Sequence, residues 1–165
     1  MASSNDRLTR CLADASEVVF VCSGNMVRSA FAELYARHLE LPLPVRSLAT
    51  TYRNDAMFPD TALALRQRGV DAGWIRAFRP THVADGLRRV DPGAVLLVMS
   101  HRHFGALEVR PELAERAFLL AEVVGASGEN EEIADPVEEG ADFERTFATV
   151  ARCVERLVER LRRPD

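Results

Sequence analysis

Two stretches of the chain are apolar almost without interruption and rich in β-branched residues: Glu17-Val18-Val19-Phe20-Val21-Cys22 and Ala94-Val95-Leu96-Leu97-Val98-Met99. Runs of this length without alternation describe strands covered on both faces, the pattern of a parallel sheet sandwiched between helices. Helical patterns lie between them. From Arg28 to Leu39 the apolar residues Phe31, Leu34, Tyr35 and Leu39 recur at helical spacing, and Pro42 and Pro44 stop the pattern. Val45 to Ala49 reads as a second strand, Pro59 to Arg68 as a second helix closed by Gly69, and Ala117 to Leu120 as a weaker fourth strand. Phe143, Phe147, Val150, Val154, Leu157 and Leu161 mark one stripe of a long final helix. The alternation predicts an α/β fold of three layers, a four-stranded parallel sheet with helices on both faces.

The predicted plan is a polar N-terminal extension over residues 1–16 and a single α/β domain over residues 17–163. The extension reads as a ragged lead, in preference to a short helix carrying Leu8, Cys11 and Leu12. No internal repeat or linker is found. With 165 residues, 47% hydrophobic and 28% charged, the chain has the make-up of one soluble domain. Three cysteines, Cys11, Cys22 and Cys153, make no disulfide framework, so free thiols and a cytoplasmic location are expected. No run approaches the ~18 apolar residues of a membrane span, and Met1 to Arg10 is too polar for a signal peptide. No membrane partner is expected, and the chain should be a monomer or weak dimer.

All 21 basic residues are arginine, and the absence of lysine excludes Schiff-base chemistry and the Walker-type phosphate loop. They are scattered among 25 acidic residues, for a net charge of −4, which argues against nucleic acid as a partner. His101 and His103 lie two apart without a third ligand at sensible spacing, so neither a metal nor another cofactor is expected. Cys153 reads as a small core residue, and the Glu and Arg run from Arg152 to Arg163 as a solvated face with i,i+4 pairs.

The chemistry is concentrated at the end of the first strand. Cys22 and Arg28 stand six positions apart, a spacing that three cysteines and an arginine fraction of 21/165 would produce about 0.4 times by chance. The context is far more specific: a buried strand before, a helix after, Gly24 and Asn25 inside the loop, and Ser29 next to the arginine. A phosphoryl dianion is best held by successive backbone N–H groups curling over a helix N-terminus, and Ser23, Gly24, Asn25, Met26 and Val27 can supply them. Gly24 lets the backbone approach the oxygens, and Asn25 tolerates a left-handed conformation while its amide ties the loop together. Arg28 offers a planar fork to two oxygens. Cys22 faces the same helix terminus and guanidinium, which favours its thiolate, and Ser29 can donate its hydroxyl to that sulfur.

Val19-Phe20-Val21-Cys22-Ser23-Gly24-Asn25-Met26-Val27-Arg28-Ser29, followed by Ala32-Glu33, resembles the opening signature of the low-molecular-weight protein tyrosine phosphatases. Ser47-Leu48-Ala49-Thr50 is similar to the end of the family's second strand, Ala94 to Met99 to its third, and Asp135-Pro136 with Gly140, Asp142, Phe143 and Glu144 to its acid-loop motif and last helix. The resemblance covers most of the chain from residue 17 onward. It implies the flavodoxin-like family fold and a cysteine-dependent phosphomonoesterase working through a phosphocysteine, with Cys22, Arg28 and Asp135 as catalytic residues. The substrate would be phosphotyrosine or a small phosphorylated metabolite. Glu131, Glu132, Glu138 and Glu139 surround Asp135 in sequence and would favour the protonated form a general acid needs.

Two positions depart from the family pattern. Val27 stands where members commonly carry a second cysteine, so an oxidised Cys22 lacks an intraloop partner. Val137 and Glu138 replace the aromatic residues that usually follow Asp-Pro. Tyr52, and also Trp74, are candidates to rebuild a pocket wall; Arg79 is a candidate for the site mouth, and Asp60 and Arg76 read as surface charges. The acidic loop is expected to repel acidic peptide flanks. Two other readings share the loop: an arsenate reductase using a soluble thiol partner, and a non-catalytic phosphate-binding module.

Overall fold

The apolar run that opens the domain forms strand β1, Val18–Cys22, with every residue buried. In the computed structural model, which describes residues 2–163, β1 pairs in parallel with β2, Val45–Ala49, on one side and with β3, Val95–Val98, on the other. β4, Ala117–Leu119, pairs in parallel with β3 to give the order β2-β1-β3-β4. The alternation of side chains along each strand then divides the core. Val18, Phe20 and Cys22 of β1 with Val95 and Leu97 of β3 face one cluster; Val19 and Val21 with Leu96 and Val98 face the other. Near-continuous apolar sequence is thus explained by burial on both faces.

The first cluster is covered by α1, Ser4–Ala13, α2, Arg28–His38, α3, Pro59–Gln67, and α7, Phe143–Arg162. On the second face lie shorter pieces, including α5, Val83–Gly86, and α6, Pro111–Ala114, with a 3-10 turn over His101–Leu107. A further short helix, α4, Ala72–Ala77, follows α3. The three-layer, four-stranded parallel fold expected from the sequence is the one observed.

One expectation is overturned. Residues 4–13 are not a ragged lead but α1, started by a reciprocal cap in which Ser3 Oγ accepts from Asp6 N and Ser3 N donates to Asp6 Oδ2, both at 3.1 Å. Leu8 and Leu12 are buried in the main core, and burying two leucines supplies roughly 3–6 kcal/mol, enough to hold a ten-residue helix that is marginal alone. The arginine face of α7 also differs from the i,i+4 picture. Its ion pair is Arg156–Glu159 at i,i+3, while Arg160 donates to Val123 O and Arg162 to Leu39 O, tying the helix to its neighbours. Cys153 is fully buried in that helix's core face, and burial pushes its thiol up to about 11.

Candidate active site

β1 ends at Cys22 and α2 begins at Arg28, so residues 23–27 form a tight loop at the carboxyl end of a central strand. The carbonyls of this loop are pulled outward. Cys22 O accepts from Thr50 N, Ser23 O from Thr51 N and Tyr52 N, Gly24 O from Asn54 Nδ2, and Met26 O from Phe58 N and Thr61 Oγ1, all between 2.8 and 3.0 Å. The N–H groups of residues 24–28 donate to no protein acceptor among the described residues. A loop with its carbonyls tied behind it and its donors unspent is built to receive an anion. A Cβ on Gly24 would lie 2.9 Å from Asn54 Nδ2, so this glycine makes room for the amide that anchors the loop.

Asn25 holds the loop together from inside. Its φ is +53°, and it is fully buried. Oδ1 accepts from Thr81 N (2.9 Å), which fixes the amide's orientation, and Nδ2 donates to Ser29 Oγ and to Ser47 Oγ (both 2.8 Å). Ser47 Oγ in turn donates to Glu33 Oε1 (2.7 Å), whose carboxyl is raised above the usual range by burial. Because Ser29 Oγ already accepts from Asn25, its own hydrogen is free for Cys22 Sγ, 2.9 Å away. The donors thus branch at Asn25, one arm ending through Ser29 on the cysteine sulfur and the other through Ser47 on the Glu33 carboxylate.

Ser23 is braced by a residue that sequence reasoning set aside. His103 Nδ1 accepts from Ser100 N (3.1 Å), so the ring proton sits on Nε2 and is donated to Ser23 Oγ (3.0 Å). Burial first, then the neighbouring Arg28 and Arg102 cations, push this imidazole down to about 3. His103 is therefore a neutral donor near neutral pH. His101 goes elsewhere, to Glu131 on the surface (3.0 Å).

Arg28 is 1% exposed, and its fork reaches across to the segment after β4: Nη1 donates to Ile133 O (2.7 Å) and Nη2 pairs with Asp135 Oδ2 (3.3 Å). Asp135 Oδ1 accepts from Val137 N (2.8 Å) in a local turn. The charges nearest Asp135 differ from the like-charged setting expected from sequence. Glu131 is taken by His101, Glu132 by His101 N (2.7 Å), and Glu138 and Glu139 by Arg102 (3.1 and 3.2 Å).

Cys22, Gly24, Met26, Val27, Arg28, Tyr52 and Asp135 all line one pocket of about 340 Å³, joined by Arg53, Asn54, Val137 and Glu138. Ser23, Asn25 and Ser29 do not line it; they brace the loop from behind. Tyr52 stands on the rim, where the neighbouring Glu138 carboxylate raises its hydroxyl above its usual range. Trp74 is not a wall of this pocket. It lies under the Arg37 guanidinium, 5.5 Å from the ring centroid, in a different groove that also contains Arg79. Asp60 is exposed in the first turn of α3, and Arg76 is exposed at the end of α4. Sequence reasoning missed the bracing roles of Glu33, Ser47, Thr81 and His103. The available signal was polarity out of place, a glutamate in an apolar helix face and a serine in a short strand.

Residues 17–165 match the model of the family described as Low molecular weight phosphotyrosine protein phosphatase. The chain belongs to that family. It is accordingly a phosphatase, a phosphoric monoester hydrolase. A comparison of the sequence with curated proteins returns no match. Among solved structures, the tyrosine phosphatase AmsI of Erwinia amylovora superposes with a TM-score of 0.73 at 20% identity, over 90% of this chain and 95% of that one. The tyrosine phosphatase Wzb of Escherichia coli K30, solved with sulphate, gives 0.71 at 21%, over 89% and 99%. The YwlE arginine phosphatase of Geobacillus stearothermophilus gives 0.71 at 25%, over 89% and 93%. This low molecular weight phosphatase shares the four-stranded parallel architecture with all three.

Proposed function

We propose that the chain hydrolyses aryl phosphomonoesters, phosphotyrosine above all, by double displacement on Cys22. The observation that carries this is the convergence on one pocket of a cysteine sulfur beside a hydroxyl, the unspent backbone N–H groups of the loop, a buried arginine and the Asp135 carboxyl group. The Cys22 sulfur attacks phosphorus, forming the S–P bond as the bond to the leaving oxygen breaks, and Asp135 gives that oxygen its proton. Loop N–H groups and the Arg28 fork hold the equatorial oxygens, where negative charge is concentrated. Water then attacks the phosphocysteine, Asp135 takes its proton, and the sulfur leaves toward the Ser29 hydroxyl, releasing inorganic phosphate.

Substrate choice follows from the pocket wall. Met26, Val137 and Tyr52 present apolar or aromatic surface beside Cys22, which suits a ring. Glu138, the carboxylate that would otherwise attract a guanidinium, is already paired with Arg102. That favours an aryl ester over the phosphoarginine handled by the YwlE enzyme. A reductase that resolves with a thiol of its own is disfavoured, since Cys153 is buried with its thiol pushed up to about 11, and one using a soluble thiol partner is separated by the assay below.

The test is hydrolysis of p-nitrophenyl phosphate across pH without added metal. Cys22→Ser is expected to abolish turnover, and Asp135→Ala to lower kcat by roughly 10²-fold or more. Unimpaired turnover by Cys22→Ser would overturn the mechanism. No turnover by the native chain, with arsenate still bound, would favour a reductase or a binding module.

A further inference from the structure

On the β2 side of the molecule lies a second groove, of about 750 Å³, that the proposed reaction does not use. One wall is the free edge of β2, which is the outermost strand; among the described residues only Ala49 at its end takes an outer partner, donating its N–H to Thr81 O at 2.7 Å. The facing wall carries Trp74 and Arg79, then Arg88 and Arg89. With Arg37 and Arg46 the groove gathers five arginines; Arg37 and Arg46 are held by Glu33 and Glu17, and Asp85 by Arg53, which leaves Arg79, Arg88 and Arg89 without a carboxylate partner among the described residues. In a chain of net charge −4 this is a concentrated positive surface. Arg88 and Arg89 are exposed and have no carboxylate partner among the described residues. Trp74 is 37% exposed beneath Arg37, and exposed tryptophan beside arginine is the composition of a recognition hot spot.

The groove also adjoins the pocket. Asp85 of its lining pairs at 2.6 Å with Arg53, which lines the pocket holding Cys22. A chain whose phosphorylated side chain enters that pocket can therefore continue along the edge of β2, where free backbone groups suit an extended segment and arginines suit carboxylates.

We propose that this groove binds an acidic segment of a phosphoprotein, flanking the residue whose phosphate is removed. The inference rests on the phosphotyrosine phosphatase reading and narrows its substrates to proteins. It reverses, on this side, the repulsion expected from the acidic loop, because Glu131, Glu132, Glu138 and Glu139 are each already held by His101 or Arg102 of the turn after β3.

Trp74 is the only tryptophan, so its fluorescence reports the groove directly. An unphosphorylated Asp/Glu-rich peptide and a neutral peptide of equal length are titrated into the native chain and into Arg88→Glu/Arg89→Glu. In parallel, kcat/KM is measured on phosphotyrosyl peptides with acidic or neutral flanks and on p-nitrophenyl phosphate. The acidic peptide is expected to give a saturable change that weakens as salt rises from about 0.05 to about 0.5 M and disappears in the double variant. The variant should lose roughly fivefold or more in kcat/KM on the acidic phosphopeptide and nothing on p-nitrophenyl phosphate. No fluorescence response, or an equal response to the neutral peptide, would overturn the proposal. Tighter binding of a single-stranded oligonucleotide would overturn it as well, in favour of a nucleic-acid surface. Peptide binding by a native chain that fails to hydrolyse p-nitrophenyl phosphate would sink the phosphatase reading and leave the groove standing.

Discussion

Asn25 carries more of the site than any other side chain that does not line the pocket. It sits at φ +53°, where a Cβ costs about 1 kcal/mol, and makes three hydrogen bonds, two of them fully buried. Asn25→Ala loses all three bonds and keeps the strain, so a loss of about 3 kcal/mol or more is expected in urea unfolding. Asn25→Gly relieves the strain but not the bonds and should be less destabilised. Both variants should lose roughly tenfold or more in kcat/KM, because Ser29 is no longer aimed at Cys22. Full activity in Asn25→Gly would mean that only the backbone shape matters. Cys22, Asn25, Arg28 and Ser29 were legible in the sequence because their geometry is set within one strand–loop–helix unit. Ser47, Thr81 and His103 were not, since they reach the loop from 22, 56 and 80 positions away through the sheet's crossovers.

Between elements, the decisive contact joins the 3-10 turn His101–Leu107 to the segment bearing Asp135. Arg102 holds Glu138 and Glu139, while Arg28 holds Ile133 O and Asp135 from the opposite side. Removing Arg102 should barely change stability, since its pairs are about half exposed and such pairs are worth at most about 1 kcal/mol. It should loosen the proposed acid, and the reading that isolates this is leaving-group dependence. In Arg102→Ala, kcat/KM on phenyl phosphate is expected to fall about tenfold, whereas p-nitrophenyl phosphate, whose leaving group needs little protonation, should change by less than about twofold. Equal losses on both would assign Arg102 a general structural role. At this scale the sequence disclosed the long elements and missed the short ones. β1 to β4, α2, α3 and α7 have runs or stripes that burial imposes, while a seven-residue 3-10 turn or a four-residue helix has no period to detect. The helix α1 was misjudged because a terminal segment gains its stability from Leu8 and Leu12 reaching a core formed by distant parts of the chain.

For the molecule as a whole, acid stability turns on His103, the buried imidazole that joins the β1 loop to the turn after β3. The groups facing it are Ser23 Oγ, Ser100 N and the cations Arg28 and Arg102, none of which welcomes a second positive charge. Its ordinary value of 6.5 falls to about 3 on folding. Between these values the unfolded chain binds the proton and the folded chain does not, so stability rises with pH across that window and is lost as pH falls through it. In His103→Gln the ring's linkage is gone. Native and variant should therefore differ most at pH 7 and progressively less toward pH 4, the gap narrowing by an amount on the order of a few kcal/mol at most. Exposed carboxylates held low by partners, such as Asp85 and Glu112, push the same way, and buried Glu33, raised by burial, pushes the opposite way. All three are present in both proteins and cancel in the difference. The measurement is urea unfolding of the two chains at pH 4, 5, 6 and 7, and a gap that stays constant over that range would mean the neutral imidazole does not couple folding to protons.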